Sequence, residues 1–423
     1  MAKNHPIKHT LLHALILVGI IAIIVSFGIR YARPYTKELS LQKLDETRIN
    51  DLDAVNNVLN KIISATSTMS IGANHTIYIS LPSNDSACSD LDLPSVPDGW
   101  KYHCVATTTL QQADGTGWLP VNFDNSLVQL PIDPINKGET LNYYAYVASS
   151  TVTIQPKSKL KLVKSKIIKP TAPIAPQFVL TAVLDSNKYL KERAQNDDGV
   201  DDIRYEVGSN VKIWADAEGL IGYWPMDEMD GITVHDISGN NYDGEVFGQH
   251  ENNIPIDTFN GKSKYIFIPR NKLFDTIGSD NAPYSISLSF NILNAQESSI
   301  TEKWTGAGAY PWAIRIEGSE LIFALYDGVK WNDGIRVKSI NFRIWNELVV
   351  VVNPQTNILK LYLNGDLEQV LPILFVHVNN NDGFTIGSRN LKDGRLFSGY
   401  IKKFKIFTKV PNDYEIYRSY STN

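Results

Sequence analysis

The chain has 423 residues and a formal net charge of −5, with 40 Lys and Arg against 45 Asp and Glu. That length suits two or three domains of roughly 100–200 residues, and the acidic balance argues against nucleic acid as a partner. With 20 Tyr, 8 Trp and a charged fraction of 20%, the composition is that of a folded, strand-rich chain and not a disordered one.

The first element is apolar. Leu11–Ile29 carries no formal charge and has the length of a membrane-spanning helix of roughly 20 residues. Lys3 and Lys8 precede it; Arg30, Arg33 and Lys37 follow, so positive charge alone does not orient it. Small Ser26 and Gly28 keep a cleaved signal peptide as the rival reading, but the apolar run exceeds a signal core. The expectation is an uncleaved single-pass anchor in the cell membrane, its N-terminus cytoplasmic and the bulk of the chain on the extracellular side.

From Arg30 to about Ser64 a second helix is predicted. Leu41, Leu44, Leu52, Val55, Leu59 and Ile62 recur near helical spacing, with Glu38, Lys43, Asp45, Glu46 and Arg48 on the polar side. Strand-like runs follow in "HTIYISLP", "WKYHCVATT", "LNYYAYVAS" and "QFVLTAVLDS", separated by Pro, Asn, Asp and Gly. Cys88 and Cys104 are the two cysteines, and an even pair in an exported chain predicts a disulfide closing a short loop. The lysine-rich run from Lys157 to Lys169 ends in prolines, as an exposed hairpin or linker would; binding of an anionic polymer is the alternative. "NDDGVDD", Asn196–Asp202, has the composition of a calcium loop without the EF-hand spacing, and reads as a solvated turn.

This order resembles the type IV pilin and pseudopilin family. The resemblance covers roughly residues 10–210 and rests on the anchor-plus-helix, "LPIDPIN" at Leu130–Asn136, the tyrosine strand at Tyr143–Tyr146 and "LTAVLDS" at Leu180–Ser186. It implies one long helix, half anchor and half support for a small antiparallel sheet. The apolar segment lacks the glutamate that guides subunit assembly in that family, so the region is taken as a pilin-like stalk.

Beyond Gly219 the pattern has period two. "YSISLSF" alternates Tyr284, Ile286, Leu288 and Phe290 against serines, and "LKLYLNG" ends in the Asn364-Gly365 hairpin turn. "KYIFIP", "AIRIEGSELIFAL", "ELVVVVN" and "YIKKFKIF" add strands at regular spacing. Many short strands with turn signals argue a two-sheet β-sandwich. In order, "GLIGYWPMDE", "VHDISGNNYDGEVFG", "DTFNGKSKYIFIP", "WNELVVVVNPQTNILKLYLNGDLEQ", "FTIGSRN" and the closing "FSGYIKKFKIFTKVPNDYEIYRSY" resemble a laminin G-like, concanavalin A-like jelly roll. The expected fold is therefore mainly β. Residues 1–35 form a cytoplasmic tip and transmembrane helix. Residues 36–210 form a pilin-like α+β domain with a Lys/Pro-rich insert at 157–176. Residues 219–423 form the jelly roll.

Chemistry is sparse. Hydrolases related to the jelly roll carry a Glu-x-Asp-x-x-Glu strand; here Thr233 stands in the last position of "EMDGIT", Glu228–Thr233. No zinc-binding His-Glu-x-x-His, Gly-x-Ser-x-Gly elbow or phosphate loop occurs, so no enzyme is expected. The jelly-roll resemblance implies one structural calcium ion on Asp227, Asp236 and Asp243, with carbonyl oxygens completing the shell, and Lys402 and Lys403 opposing it. Trp304, Tyr310 and Trp331 are the candidate ligand-binding residues, since aromatic faces on loops suit sugar rings or protein partners; Trp312 reads as core. The function expected is adhesion, by recognition of a glycan or surface protein. A minor subunit of a pilus-like or secretion assembly is the alternative.

Overall fold

The structure, a computed structural model, describes residues 6–65, 70–123, 126–149, 175–229, 231–248, 254–277, 282–304, 308–327, 329–338, 340–374, 380–390 and 394–421. Side chains before residue 34 lie outside that description, including those of the expected anchor; so do residues 157–174 of the lysine-rich insert. Among the described residues no helix is long and apolar enough to cross a membrane.

The chain opens with helix α1 (Pro6–Ala65), followed by β1 (Thr76–Pro82), β2 (Lys101–Val105), β3 (Tyr144–Ser149), β4 (Gln177–Val183), α2 (Asn187–Glu192), β5 (Arg204–Gly208) and α3 (Ile213–Glu218). Next come β6 (Leu220–Trp224), β7 (Thr233–Val234), β8 (Gly244–Phe247), β9 (Thr258–Asn260), β10 (Tyr265–Ile268), α4 (Lys272–Thr276), β11 (Tyr284–Ile292) and β12 (Ser298–Glu302). The last part holds β13 (Tyr310–Glu317), β14 (Glu320–Tyr326), β15 (Trp331–Val337), β16 (Asn346–Asn353), β17 (Ile358–Leu363), β18 (Asp366–Pro372), β19 (Phe384–Ile386), β20 (Ser398–Phe407) and α5 (Asp413–Ser421).

The second half of α1 buries one stripe, Ile49, Leu52, Val55, Leu59 and Ile63, the three-and-four spacing of a single helix face. The stripe packs on a five-stranded sheet ordered β2-β1-β3-β4-β5. Its β1–β2 pair is parallel and the remaining pairs antiparallel. Leu41, Leu44 and Ile62 are only half-buried. Asp45 and Arg48, assigned above to the polar side, are fully buried instead. Arg48 reaches Asp45 at 2.8 Å, Asp133 at 2.7 Å and Asp185 at 2.6 Å. Burial alone would lower the guanidinium pKa; hydrogen bonds and charge from Asp133 and Asp185 reverse that and keep it ionised. The "LPIDPIN" loop and the end of "LTAVLDS" thus supply carboxylates that clamp α1. The Cys88–Cys104 disulfide is present, spanning 5.6 Å between Cα atoms, and staples the loop between β1 and β2.

The remaining strands form two packed sheets, one of eight strands (β15-β14-β13-β12-β19-β10-β8-β7) and one of seven (β18-β17-β16-β11-β20-β6, with β9 also pairing with β20). Their facing side chains make one core containing Trp224, Trp312, Phe384 and Phe404. The sandwich does not stand apart from the α+β body. Gly219, left-handed at φ 68°, caps α3; a Cβ there would lie 2.8 Å from Pro97 and Thr408. Leu220 and Tyr223 of β6 belong to the core of the α+β body. Across the junction Lys403 pairs with Asp202 at 3.0 Å, and Lys409 pairs with Glu218 and, at 2.9 Å, with Glu415. Burial alone would raise the Glu218 pKa; Lys409 and Arg204 pull it below the usual range. Helix α5 straddles both parts: Ile416 packs on Val351 and Tyr362, and Arg418 pairs with Asp185 at 3.2 Å. The serine side of β11 therefore faces this junction and not water, with Ser285 donating to the Lys409 carbonyl at 3.1 Å.

Candidate ligand-binding site

Three aromatic residues singled out in the sequence come together on the outer face of the eight-stranded sheet. Trp312, Ile314 and Ile316 of β13 point into the core. Simple alternation would send Tyr310 the same way as Trp312. A β-bulge prevents this. Tyr310 faces Tyr326 and Ala313 faces Ala324, so three steps on β13 match two on β14. The Tyr284 hydroxyl donates to Pro311 O at 2.6 Å from the core side and fixes the bulge.

A second bulge acts on β15. Phe323 pairs with Ile335 and Leu325 with Asn332, again three steps against two. Gly334 makes it feasible at φ 76°, with the Phe323 carbonyl 2.5 Å from where a Cβ would be. Ile335 points into the core, while Trp331 turns outward, 40% exposed.

The rings form a continuous stack. Trp304 lies on Tyr310 with centroids 4.6 Å apart, Tyr310 meets Trp331 at 5.0 Å, and Trp331 stacks on Tyr326 at 4.7 Å. Arg315 lies 5.2 Å from the Trp331 ring and Arg389 4.9 Å from Trp304. Fully buried Glu302 takes two hydrogen bonds from Arg315, at 2.8 and 3.0 Å. Burial alone would lower the Arg315 pKa, but the Glu302 bonds and charge raise it, so the guanidinium stays ionised. Tyr310 is buried within the stack, Trp304 is half-buried and Trp331 is the open end. The adjoining turn is pinned by Asp327, which accepts from Val329 N and Lys330 N at 2.8 Å each. It thrusts Val329 into solvent beside Trp331. The geometry can offer a flat apolar face with a cation beneath it. Tyr326, Arg315 and Arg389 escaped sequence reasoning, because only the bulges reveal which side chains share the face.

Two of the expected calcium ligands, Asp236 and Asp243, hydrogen-bond within their own loop. Asp236 is buried and accepts from Tyr223 N, Ser238 N, Ser238 Oγ and Tyr242 N, all at 2.9 Å. Asp243 accepts from Asp236 N at 2.9 Å and meets His235 Nδ1 at 3.2 Å. Asp227 is exposed. Asp236 and Asp243 close the β6–β8 loop, and Asp236 has no lone pair left for a hard cation. Among the described residues no group of three or more His, Cys, Asp or Glu is placed to hold a metal. Lys402 and Lys403 do not face this loop: Lys402 lies over Trp345 and Lys403 pairs with Asp202. Glu228 accepts from His235 N at 2.8 Å, and Asp230 lies outside the described residues. A cleft of about 120 Å³ opens at the domain junction between Arg204, Glu218, Lys405 and Glu415.

Solved structures resembling the chain include receptor-binding domains. That of the botulinum neurotoxin C/D mosaic serotype is 19% identical with a TM-score of 0.40, covering 48% of this chain and 51% of that one. The binding domain of botulinum neurotoxin DC in complex with rat synaptotagmin II gives 18% and 0.39, covering 48% and 51%. The same domain in complex with SialylT gives 17% and 0.38, covering 48% and 52%. The chain spans about half the length of these structures. No curated protein matches it. Residues 260–417 match the laminin G family model described as the concanavalin A-like lectin/glucanases superfamily.

Proposed function

We propose that this chain is a membrane-tethered recognition protein whose sandwich binds a glycan at the Trp304–Tyr310–Trp331 stack. The observation that carries the reading is Trp331, an indole held outward by a glycine bulge and backed by Tyr326 and Arg315. A rigid, partly exposed aromatic supplies contact area at small entropic cost. The family match over residues 260–417 is to a lectin-like fold. Tethering is supported by the uncharged Leu11–Ile29 segment and by the continuity of α1 from Pro6 to Ala65. Binding without cleavage is supported by Thr233 in place of a third acid and by Glu228 being tied to the His235 amide.

The test is a glycan array probed with detergent-solubilised full-length chain, beside a reducing-sugar assay on the same polysaccharides. Saturable binding lost in Trp331→Ala, with no sugar released, supports the reading. Release that disappears in Glu228→Gln would make the protein a hydrolase. A second reading, as a minor subunit of a pilus-like or secretion assembly, is favoured by the long helix clamped to a small sheet through Arg48. It predicts recovery of the chain in sheared surface fibres.

A further inference from the structure

A fully buried amine lies just beyond the end of β12. Lys303 Nζ donates to Asn380 Oδ1 at 3.0 Å and to the Asp382 carbonyl. Both partners belong to the segment leading into β19, the antiparallel neighbour of β12. The contact therefore joins residues 77 apart in sequence.

The amine is prepared for attack. Burial lowers the Lys303 pKa to about 8, against the charges of Asp275 and Asp382 and with help from Arg270. About a tenth of it is then neutral at pH 7, and a desolvated neutral amine is a nucleophile. The amide it touches is held in place. Asn380 Nδ2 donates to Lys303 O at 2.6 Å and to Ala309 O at 2.9 Å, while Oδ1 also accepts from Asp382 N at 3.1 Å. The carbonyl carbon lies one C=O bond, about 1.2 Å, beyond the oxygen that Nζ already reaches. The Asp382 N–H sits where negative charge would grow on Oδ1 during attack. Two carboxylates act on Lys303 by charge, those of Asp275 and Asp382. Asp275 is held by Arg270 through bonds of 3.1, 2.9 and 2.7 Å, so proton transfer falls to Asp382.

We propose that Lys303 and Asn380 react to form an intramolecular amide cross-link between the end of β12 and the approach to β19. The Nζ lone pair bonds to Asn380 Cγ, and the C=O pair moves onto Oδ1. The Asp382 carboxylate takes one proton from Nζ and passes it to Nδ2. As the C=O re-forms, the Cγ–Nδ2 bond breaks and Nδ2 leaves with that electron pair as ammonia. One C–N bond replaces another, so no oxidant or cofactor enters. The link fixes the root of the loop that carries Trp304, and it is independent of what the aromatic stack binds.

The test is mass spectrometry of the reduced full chain, intact and after trypsin. The expected result is an intact mass one ammonia below that of the unlinked sequence, no cleavage after Lys303, and a branched peptide joining the segments that contain Lys303 and Asn380. Lys303→Met and Asn380→Ala should each abolish the ammonia loss. Asp382→Ala should slow linkage about a hundredfold, read as unlinked chain in freshly made protein. The branched peptide is read on the parent chain, so a variant that fails to fold does not decide the outcome. Cleavage after Lys303 with the two peptides recovered apart, whether Asn380 is intact or hydrolysed to aspartate, would overturn the inference. So would an ammonia loss that persists in Lys303→Met.

Discussion

At the scale of single residues, buried charge decides more than exposed charge. Arg48 lies in a buried cage of three carboxylates. Removing it leaves buried Asp45 and Asp133 without their cationic partner, while Asp185 keeps Arg418, so Arg48→Ala should cost about 3–5 kcal/mol, read from denaturant unfolding of the full chain. Asp197 gives the opposite sign. Burial pushes its carboxyl up to about 7, against hydrogen bonds from Glu206 N and Gly199 N and with help from the Asp201 charge. A raised carboxyl pKa favours the protonated folded form. Its contribution is therefore fully present below the unfolded value near 3.8 and is lost as pH rises through about 7. Asp197→Asn should flatten the fall in stability between pH 4.5 and 7.5; an unchanged slope would contradict the assignment. Asp236, saturated by four donors, predicts a melting temperature indifferent to chelator.

At the scale of elements, the two bulges set the site. Gly334→Ala adds a Cβ at a positive φ and against the Phe323 carbonyl, a strain of about 1–3 kcal/mol. It should abolish ligand binding although Gly334 touches no ligand, while leaving a cooperative melt. Much of this scale was legible in the amino-acid order. The period-two runs mark β11, β13, β14, β16, β17 and β20, and Trp312 reads as core because it opens such a run. The fate of its neighbour Tyr310 was not legible from spacing, since a bulge inserts one residue without changing composition. Trp331 reads as a surface candidate from its loop, and only the Gly334 bulge explains why it does not follow Ile335 inward. Arg48 and Asp45 looked like a solvated face because helix spacing records position and not the carboxylates that loops bring from Asp133 and Asp185. The serines of β11 mark a sheet face without saying that the α+β body and α5 would cover it.

At the scale of the whole molecule, sandwich and α+β body share a junction of apolar core and ion pairs, with α5 laid across it. Excised 219–423 would expose Tyr223, Phe407 and Tyr414, which pack on the α+β core, and strand Lys409 without Glu218. The fragment should melt below the intact chain; Lys409→Ala in the full chain should cost about 3–5 kcal/mol by the loss of a buried partner. Reduction of Cys88–Cys104, 16 residues apart, should remove about 3 kcal/mol of constraint on the unfolded chain. A ligand held at the sandwich would thus be coupled rigidly to α1 through Arg418, Asp185 and Arg48. The central claim is that the Trp331 stack recognises a glycan. Calorimetric titration of the strongest array glycan into the full chain and into Trp331→Ala tests it most directly. The account predicts saturable binding to the parent and a Kd about tenfold weaker in the variant, equivalent to ~1.4 kcal/mol, with superimposable melting curves. Equal affinity in both proteins, or no saturable glycan binding to the parent, would contradict it.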